Sequence, residues 1–589
     1  MKYLSFFILL VICNNKLFAQ TESKLETQID SLFSEYSGNT AGVAVAVVQD
    51  GKTIFQKGYG LANLEYNLPI NTTTSFNVGS VSKQFTAFAI YLLQEEGKIS
   101  LEDDVIKYIP ELPQYDKIIK IKHLLAHTSG LRDQWALLTL AGWRLDDVIT
   151  ENQILKLVSK QKKLNFETGT QFMYSNTGYT LAAVIIERVS GKSFAQYCQE
   201  NIFNPLKMTN TLFYDDYNKL IKNRAYSYEK VEGNFNKRTL SYTTVGATSL
   251  FTTVEDLAKW VSNFHNPLVG NAKLIKKFNE ISYLDDNSPV IWAHTPEQDL
   301  YYAKGQLSYE YKGLKVLSHG GHDAGFRAVL TRFPKKEFAV ITLSNNEHYT
   351  TIEKSYPLAE IFLKDYLKET KKDTSKTNPD NTEEKPYSNQ LNSYEGIYYN
   401  EELATQYQVK LKDGQLVMTH PRLDDISLTE TGKNKFDGIN SFAFELEFFE
   451  ANDKIEGFYI SNFGAKNMQF DKVKPTIKEV TSIDQQLKAY NNRDINAFLD
   501  TYHEDIAIYN FPNQLLGKGK EFLRTTYQDL FQKSPNLNCL VTSREVLGNT
   551  IIDQELVTGF YGDQSLEAIA IYKMKEGKIA EVYFIKKEE

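Results

Sequence analysis

Three short segments in a fixed order hold residues able to do chemistry together: Ser80-Val81-Ser82-Lys83, Tyr174-Ser175-Asn176 and His319-Gly320-Gly321. They supply a hydroxyl nucleophile, an amine and a phenol that can move its proton, and a small-residue strand that can offer backbone N–H groups. Those are the parts of an acyl-transfer site working through a covalent serine ester. Each segment alone is weak. Ser-x-x-Lys recurs at Ser159-Lys162 and Ser227-Lys230, and Tyr-x-Asn recurs at Tyr398-Asn400 and Tyr490-Asn492. Order, spacing and context separate the working set from these coincidences.

The context begins at Ser80, where Phe76-Asn77-Val78-Gly79 runs into a helix. Phe85, Phe88, Ala89 and Leu92 recur at i, i+3, i+4 and i+7, and Gly97 ends the helix. A serine at a helix N-terminus meets free N–H groups and the positive dipole end, and a lysine three residues on lies beside it. Lys83 takes the serine proton only if burial or nearby positive charge lowers its pKa. Tyr174 is expected either as a partial phenolate or as a proton relay to the leaving group. Asn176 is expected to bond Lys83 and to hold the substrate's carbonyl side. His319-Gly320-Gly321 is expected to lay a substrate along a strand edge, with the N–H of His322 joining that of Ser80 in an oxyanion hole. Metal chemistry is disfavoured: His123 and His127 are spaced i, i+4 but no Glu follows His123, and the glycines beside His319, His322 and Asp323 suit a substrate strand better than a metal. No cofactor is expected.

The surrounding elements alternate strand and helix signals from about Lys24 to Lys368. Gly42 to Val48, the Asp50-Gly51 turn and Thr53 to Gly58 read as a hairpin. Thr253 with Asp256 reads as a capping box with Trp260 on the buried side. Residues 368–390 are polar and charged, a solvated linker. Residues 391–475 alternate short strands with turns such as Asp413-Gly414 and Asp437-Gly438, giving a small all-β sandwich or barrel. Residues 477–589 begin with two short helices carrying Leu487, Tyr490, Ile495, Phe498 and Tyr502. Strands follow at Thr542–Val546, Ile551–Phe560, Leu566–Met574 and Lys578–Ile585, an α+β fold with helices on a curved antiparallel sheet.

The chain's 589 residues are enough for several domains, and 42% hydrophobic with 24% charged residues is a globular composition. The net charge of −8 is spread without a basic stripe, which argues against nucleic acid as a partner. Residues 1–19 read as a signal peptide: a Met1-Lys2 basic start, an apolar core over Phe6–Cys13 and a Leu17-Phe18-Ala19 cleavage site. That core is too short to span a bilayer, so the expectation is export to the periplasm or beyond with no stable membrane span. Cys198 and Cys539, distant in sequence, are not expected to pair.

On these residues, the segment from about Thr21 to Leu367 resembles the serine β-lactamase and penicillin-binding superfamily, in its class C-like branch of esterases, D-aminopeptidases and D,D-peptidases. The likeness rests on Phe76 to Lys83, Leu124-Leu125-Ala126-His127-Thr128-Ser129-Gly130-Leu131, Tyr174 to Tyr179 and His319-Gly320-Gly321. It implies an α/β, β-lactamase-like transpeptidase fold over residues 21–367, with the site between a helical subdomain and an antiparallel sheet. It implies Ser80 as nucleophile, Lys83 and Tyr174 as base partners, and His319 in place of the usual lysine of the third motif. Thr168 stands where the branch often has proline, and His322 is larger than the residue usual after the third motif, crowding the oxyanion hole. Without the lysine cation to hold a β-lactam carboxylate, ester or D-amino-acid peptide hydrolysis fits better than β-lactam hydrolysis. The alternatives are a cell-wall D,D-peptidase and a catalytically silent binding protein. The middle unit resembles β-barrel domains appended to such hydrolases, through Tyr394-Glu395-Gly396-Ile397-Tyr398. The last resembles the polyketide cyclase-like branch of the ketosteroid isomerase and nuclear transport factor cone fold. That implies a binding or homo-oligomerisation module, with His503, Asp505 and Glu555 lining the cone.

Overall fold

The computed structural model describes residues 24–239, 241–368, 391–452, 454–473, 480–561 and 564–586, in two compact units divided at Val473. The signal-peptide and linker readings fall outside the described residues.

The first unit is built on an eight-stranded antiparallel sheet. Its strands are β1 (Val43–Gln49), β2 (Lys52–Tyr59), β3 (Ile291–His294), β4 (Asp299–Tyr302), β5 (Leu307–Tyr311), β6 (Leu314–Asp323), β7 (Phe326–Phe333) and β8 (Phe338–Ser344), ordered β3-β4-β5-β6-β7-β8-β1-β2. β1 is an unbroken apolar run because both of its faces are buried. Val43, Val45 and Val47 pack with Leu358 and Leu363 of the helix Thr351–Leu363. Ala44, Ala46 and Val48 face the larger core, with Ala339, Ile341 and Leu343 of β8. That core holds the helices α1 (Ser82–Glu95), α2 (Gln134–Leu140), α3 (Asn176–Ser190) and α4 (Val254–His265). Trp260 of α4 is fully buried, 4.4 Å from the ring of Phe85 and 5.0 Å from that of Phe88, which ties α4 to the helix that follows Ser80. Only half of the expected capping box forms. Thr253 accepts from the Asp256 N–H, whereas the Asp256 carboxylate turns to Asn210 and Thr211.

Nine antiparallel strands between Gly396 and Lys472 form a second sheet in the same unit. Its two end strands, Ile426–Ser427 and Thr429–Gly432, are neighbours in the chain, so the sheet curls back on itself like a barrel. Strand Thr405–Lys412 alternates buried and exposed residues, the mark of a one-sided core. This barrel packs on the helical part of the first sheet's domain. Tyr407 donates to the Leu140 carbonyl (3.1 Å), and Arg132, with a side chain only 3% exposed, pairs with Glu402 at 2.8 Å.

The second unit has helices Thr481–Asn491, Ile495–Asp500 and Lys520–Lys533 over a six-stranded sheet. Three readings change here. Tyr502 opens the strand Tyr502–Asn510 and belongs to no helix. That strand runs parallel to Lys578–Lys586, so the sheet is mixed. Asp505 is 88% exposed, while Glu555 is buried and accepts from Tyr572 at 2.7 Å. Cys198 and Cys539 are both free and buried, one in each unit.

Candidate active site

Ser80 lies in a single tight turn, Gly79–Val81, that leads directly into α1. Gly79 adopts φ +50°, and a Cβ there would stand 2.8 Å from the His322 nitrogen. A Cβ on Gly321 would stand 1.8 Å from the Val78 carbonyl oxygen and 3.2 Å from the Ser80 nitrogen. These two glycines therefore let β6 press against the nucleophile turn and bring the N–H groups of Ser80 and His322 to the same place. Gly320 has no such role, since a Cβ there would meet only one atom, at 3.7 Å.

Helical spacing places Lys83 below Ser80. Its Nζ lies 3.0 Å from Ser80 Oγ, 2.8 Å from Asn176 Oδ1 and 2.7 Å from the Ala247 carbonyl. The last two are obligate acceptors. A neutral amine spends its two N–H bonds on them and turns its lone pair to the serine hydroxyl. Burial drives the Lys83 pKa down to about 7, against the opposing pull of Asp133 and Asp323. The side chain is fully buried, with Nζ 4.8 Å from the centre of the Tyr174 ring and 5.7 Å from that of Tyr179.

The Tyr174 hydroxyl donates to Ser80 Oγ at 2.8 Å. Burial holds this phenol well above its ordinary range, so the phenolate expectation fails and the relay role remains. Its ring lies 4.4 Å from that of His127, whose Nδ1 accepts from the Ser175 N–H (3.1 Å); the proton is therefore on Nε2, which faces the Tyr302 hydroxyl at 2.8 Å. His127 lies beyond the short helix Ile121–Leu125, and His123 turns instead to Asp285 at 3.1 Å.

His319 sits beside this group without a hydrogen bond to it, its ring 6.4 Å from those of Tyr174 and Trp292. Burial drives its pKa down to about 4, so it is neutral. Nδ1 lies 2.6 Å from the Gly320 carbonyl and must carry the proton, which leaves Nε2 as a buried lone pair with no partner among the described residues. Among the described residues no strand pairs with the outer edge of β6 from His319 to Asp323. β5 pairs only with Leu314 to Ser318, whereas β7 pairs along Leu317 to Asp323. The His322 side chain is exposed, on the face opposite Gly321, so it does not crowd the oxyanion position.

Asp133 was not anticipated. It caps α2, accepting from Trp135 and Ala136 N–H groups on Oδ1, while Oδ2 accepts from both the backbone N–H and Nδ2 (2.8 Å) of Asn176. That grip fixes which end of the Asn176 amide meets Lys83 and leaves one Nδ2 hydrogen for a substrate carbonyl. Asp133 is itself held by the barrel: its N–H donates to the Gly464 carbonyl at 2.8 Å, and Asn165 Nδ2 donates to the same oxygen at 2.9 Å. The sequence signal was available, because an Asp before an apolar turn is a preferred N-cap. The segment Asp133 to Gln161 holds two helices, α2 and Glu151–Val158.

A family profile described as Beta-lactamase matches residues 28–360, more than half of the chain. The chain belongs to the β-lactamase family. This β-lactamase-family chain also carries a SnoaL-like domain, matched over residues 483–582. Protein flp of Staphylococcus aureus (strain MRSA252) is 28% identical to it over 337 residues, 55% of this chain and 64% of that protein. D-aminopeptidase of Gluconobacter oxydans (strain 621H) is 25% identical over 325 residues, 55% of this chain and 59% of that one. The chain thus spans less than two thirds of the length of these curated relatives. The octameric penicillin-binding protein homologue from Pyrococcus abyssi shares the fold, with a TM-score of 0.52 at 22% identity over 76% of this chain and 99% of that one. Among the described residues no helix is long and apolar enough to cross a membrane.

Proposed function

We propose that this protein is an exported serine hydrolase that forms an acyl-enzyme on Ser80 with ester or amide substrates, D-amino-acid peptides among them. The observation that carries the reading is Ser80 Oγ held between an amine at 3.0 Å and a phenol at 2.8 Å, with the amine's pKa down to about 7. In this scheme Ser80 Oγ attacks the substrate carbonyl carbon as its proton passes to the Lys83 lone pair. The carbonyl oxygen takes up the negative charge against the N–H groups of Ser80 and His322, where one donor is typically worth about 10²–10³ in rate. Tyr174 gives its proton to the departing amine or alcohol and is reprotonated by the Lys83 ammonium, which holds the proton taken from Ser80. Water then attacks the ester, with the same groups reversing their roles. Export rests on the signal-like first nineteen residues, and the SnoaL-like domain is assigned a binding or homo-oligomerisation role.

The test is intact mass after exposure of the mature protein to a fluorophosphonate, beside a fluorescent-penicillin sample and a Ser80→Ala control. One equivalent of adduct, lost in the variant, is expected. Penicillin labelling would move the substrate towards cell-wall peptides. No adduct with either reagent overturns the hydrolase reading.

A further inference from the structure

Beyond the groups assigned above, the end of β6 carries a carboxylate that the acyl-transfer scheme does not use. Alternation along β6 puts His319, Gly321 and Asp323 on one face, with Gly321 against the nucleophile turn and the other two on either side of it. On the His319 side stand Tyr174 and Trp292, their rings 5.2 Å apart. Tyr174 delivers the leaving group's proton, so that side takes the leaving group, and the acyl half of a substrate extends towards Asp323.

Asp323 is an unusual residue to find there. Its carboxylate accepts from the hydroxyls of Tyr242 and Thr248 and from Asn77 Nδ2 at 3.2 Å, all neutral donors. Among the described residues no cation lies within ion-pair distance of it, although buried carboxylates are ordinarily paired. Arg327, the nearest guanidinium along β7, is engaged by Glu347 at 3.4 Å. Lys83 is committed to Ser80, Asn176 and Ala247. Burial pushes the Asp323 carboxyl up to about 7, against the opposing pull of the Asn77 hydrogen bond and of the more distant Lys83 and Arg327. Above it, Tyr242 packs on Trp135 with ring centroids 4.9 Å apart, and an electron-rich aromatic wall of this kind also favours a cation. Asp323 itself remains partly exposed.

We propose that Asp323, walled by Tyr242 and Trp135, is the counter-ion for an ammonium group on the acyl half of the substrate. The preferred substrates are then amino-acyl esters or amides with a free amino group, and acylation of that amine removes the preference. This rests on the hydrolase reading of Ser80 and narrows it to a substrate class.

The test compares alanine p-nitroanilide, in both enantiomers, with its N-acetyl form and with propionyl p-nitroanilide, which lacks only the amine. In the wild-type protein kcat/KM is expected to favour the better alanine enantiomer over propionyl by about 30-fold or more, since losing one member of a buried charge pair commonly costs at least that much. In Asp323→Asn the alanine-to-propionyl ratio is expected to fall towards one. A wild-type ratio near one overturns the proposal without recourse to any variant. An unchanged ratio in Asp323→Asn, with both substrates slowed alike, overturns it in favour of a clamp on the Thr248 segment or an influence on Lys83. Fluorophosphonate labelling of the same samples keeps the two readings apart. A labelled Ser80 without amine selectivity sinks only the subsite, and an unlabelled Ser80 sinks the hydrolase reading together with it.

Discussion

Replacing Gly464 by alanine tests whether the barrel is part of the active site. The backbone there has no left-handed φ, so the added methyl brings no conformational strain. It would stand 2.4 Å from Asp133 Cβ and 3.3 Å from both Asp133 Cγ and Ala136 Cβ. Ordinary contact requires a separation of about 3.5 Å, so Asp133 and the barrel loop must part by about 1 Å. Both sides are pinned: the Gly464 carbonyl accepts from Asp133 and from Asn165, and Lys466 N–H donates back to Asn165 Oδ1 at 2.9 Å. Overpacking of this kind costs about 1–3 kcal/mol of stability. The larger effect is on chemistry, because Asp133 orients Asn176 and Asn176 holds Lys83. A misplacement of about 1 Å is worth roughly 10²-fold in rate. The assay is the second-order rate constant for fluorophosphonate labelling of Ser80, measured beside thermal unfolding. Gly414→Ala is the control: it lies in the same barrel at φ +81° with nothing within 4 Å, so it carries a backbone cost that Gly464→Ala lacks but no collision. A labelling rate for Gly464→Ala within about threefold of the control, with the fold intact, would refute the chain from barrel to lysine.

Three other expectations follow from groups already described. Lys83 acts as a base only when neutral and has a pKa of about 7, so the Ser80 labelling rate should rise about tenfold per pH unit below 7 and level off above it; a flat profile from pH 5.5 to 9 would remove Lys83 as the base. Glu402→Gln leaves the buried Arg132 without its carboxylate and should cost about 3 kcal/mol in thermal or denaturant unfolding, much of it regained by pairing Arg132→Met with Glu402→Leu. Glu555 is pushed up by burial to about 7 in the folded protein, from an ordinary 4.5. The folded state therefore binds the extra proton between those values, and stability falls as pH rises from about 4.5 to 7. Glu555→Gln should stabilise its unit by on the order of 3 kcal/mol at pH 8 and have little effect at pH 4, read as hydrogen-exchange protection in the strands Thr550–Phe560 and Gln564–Lys575.

What was legible in the sequence was local. Ser80 and Lys83 lie one helical turn apart, so spacing alone brings them together, and the hairpin of β1 and β2 follows from apolar runs around Asp50-Gly51. Asp133 escaped notice because its work is done on residues 43 and 331 positions away, Asn176 and Gly464, and no periodicity encodes that. The barrel's strands were visible from their alternation, but not the face it applies to α2. In the second unit Tyr502 continues the apolar spacing of the helices before it, and only pairing with Lys578–Lys586 makes it a strand. The helix Lys520–Lys533 buries just Leu523, Leu530 and Phe531, a stripe too sparse to stand out from its polar neighbours.

The unpaired edge of β6 has a bearing on inhibitors. An extended ligand laid along His319 to Asp323 becomes a ninth strand of the sheet, and its affinity comes from main-chain hydrogen bonds that are blind to side-chain identity. Discrimination is then confined to the few side chains at the two ends of that edge, while bond-making stays with Ser80, Lys83 and Tyr174. Under the proposed scheme, exchanging Tyr242 is expected to alter which ligands are held, exchanging Asp323 is expected to shift the Lys83 pKa as well, and a peptide-like backbone bearing a serine-reactive carbonyl is the natural starting frame for a ligand.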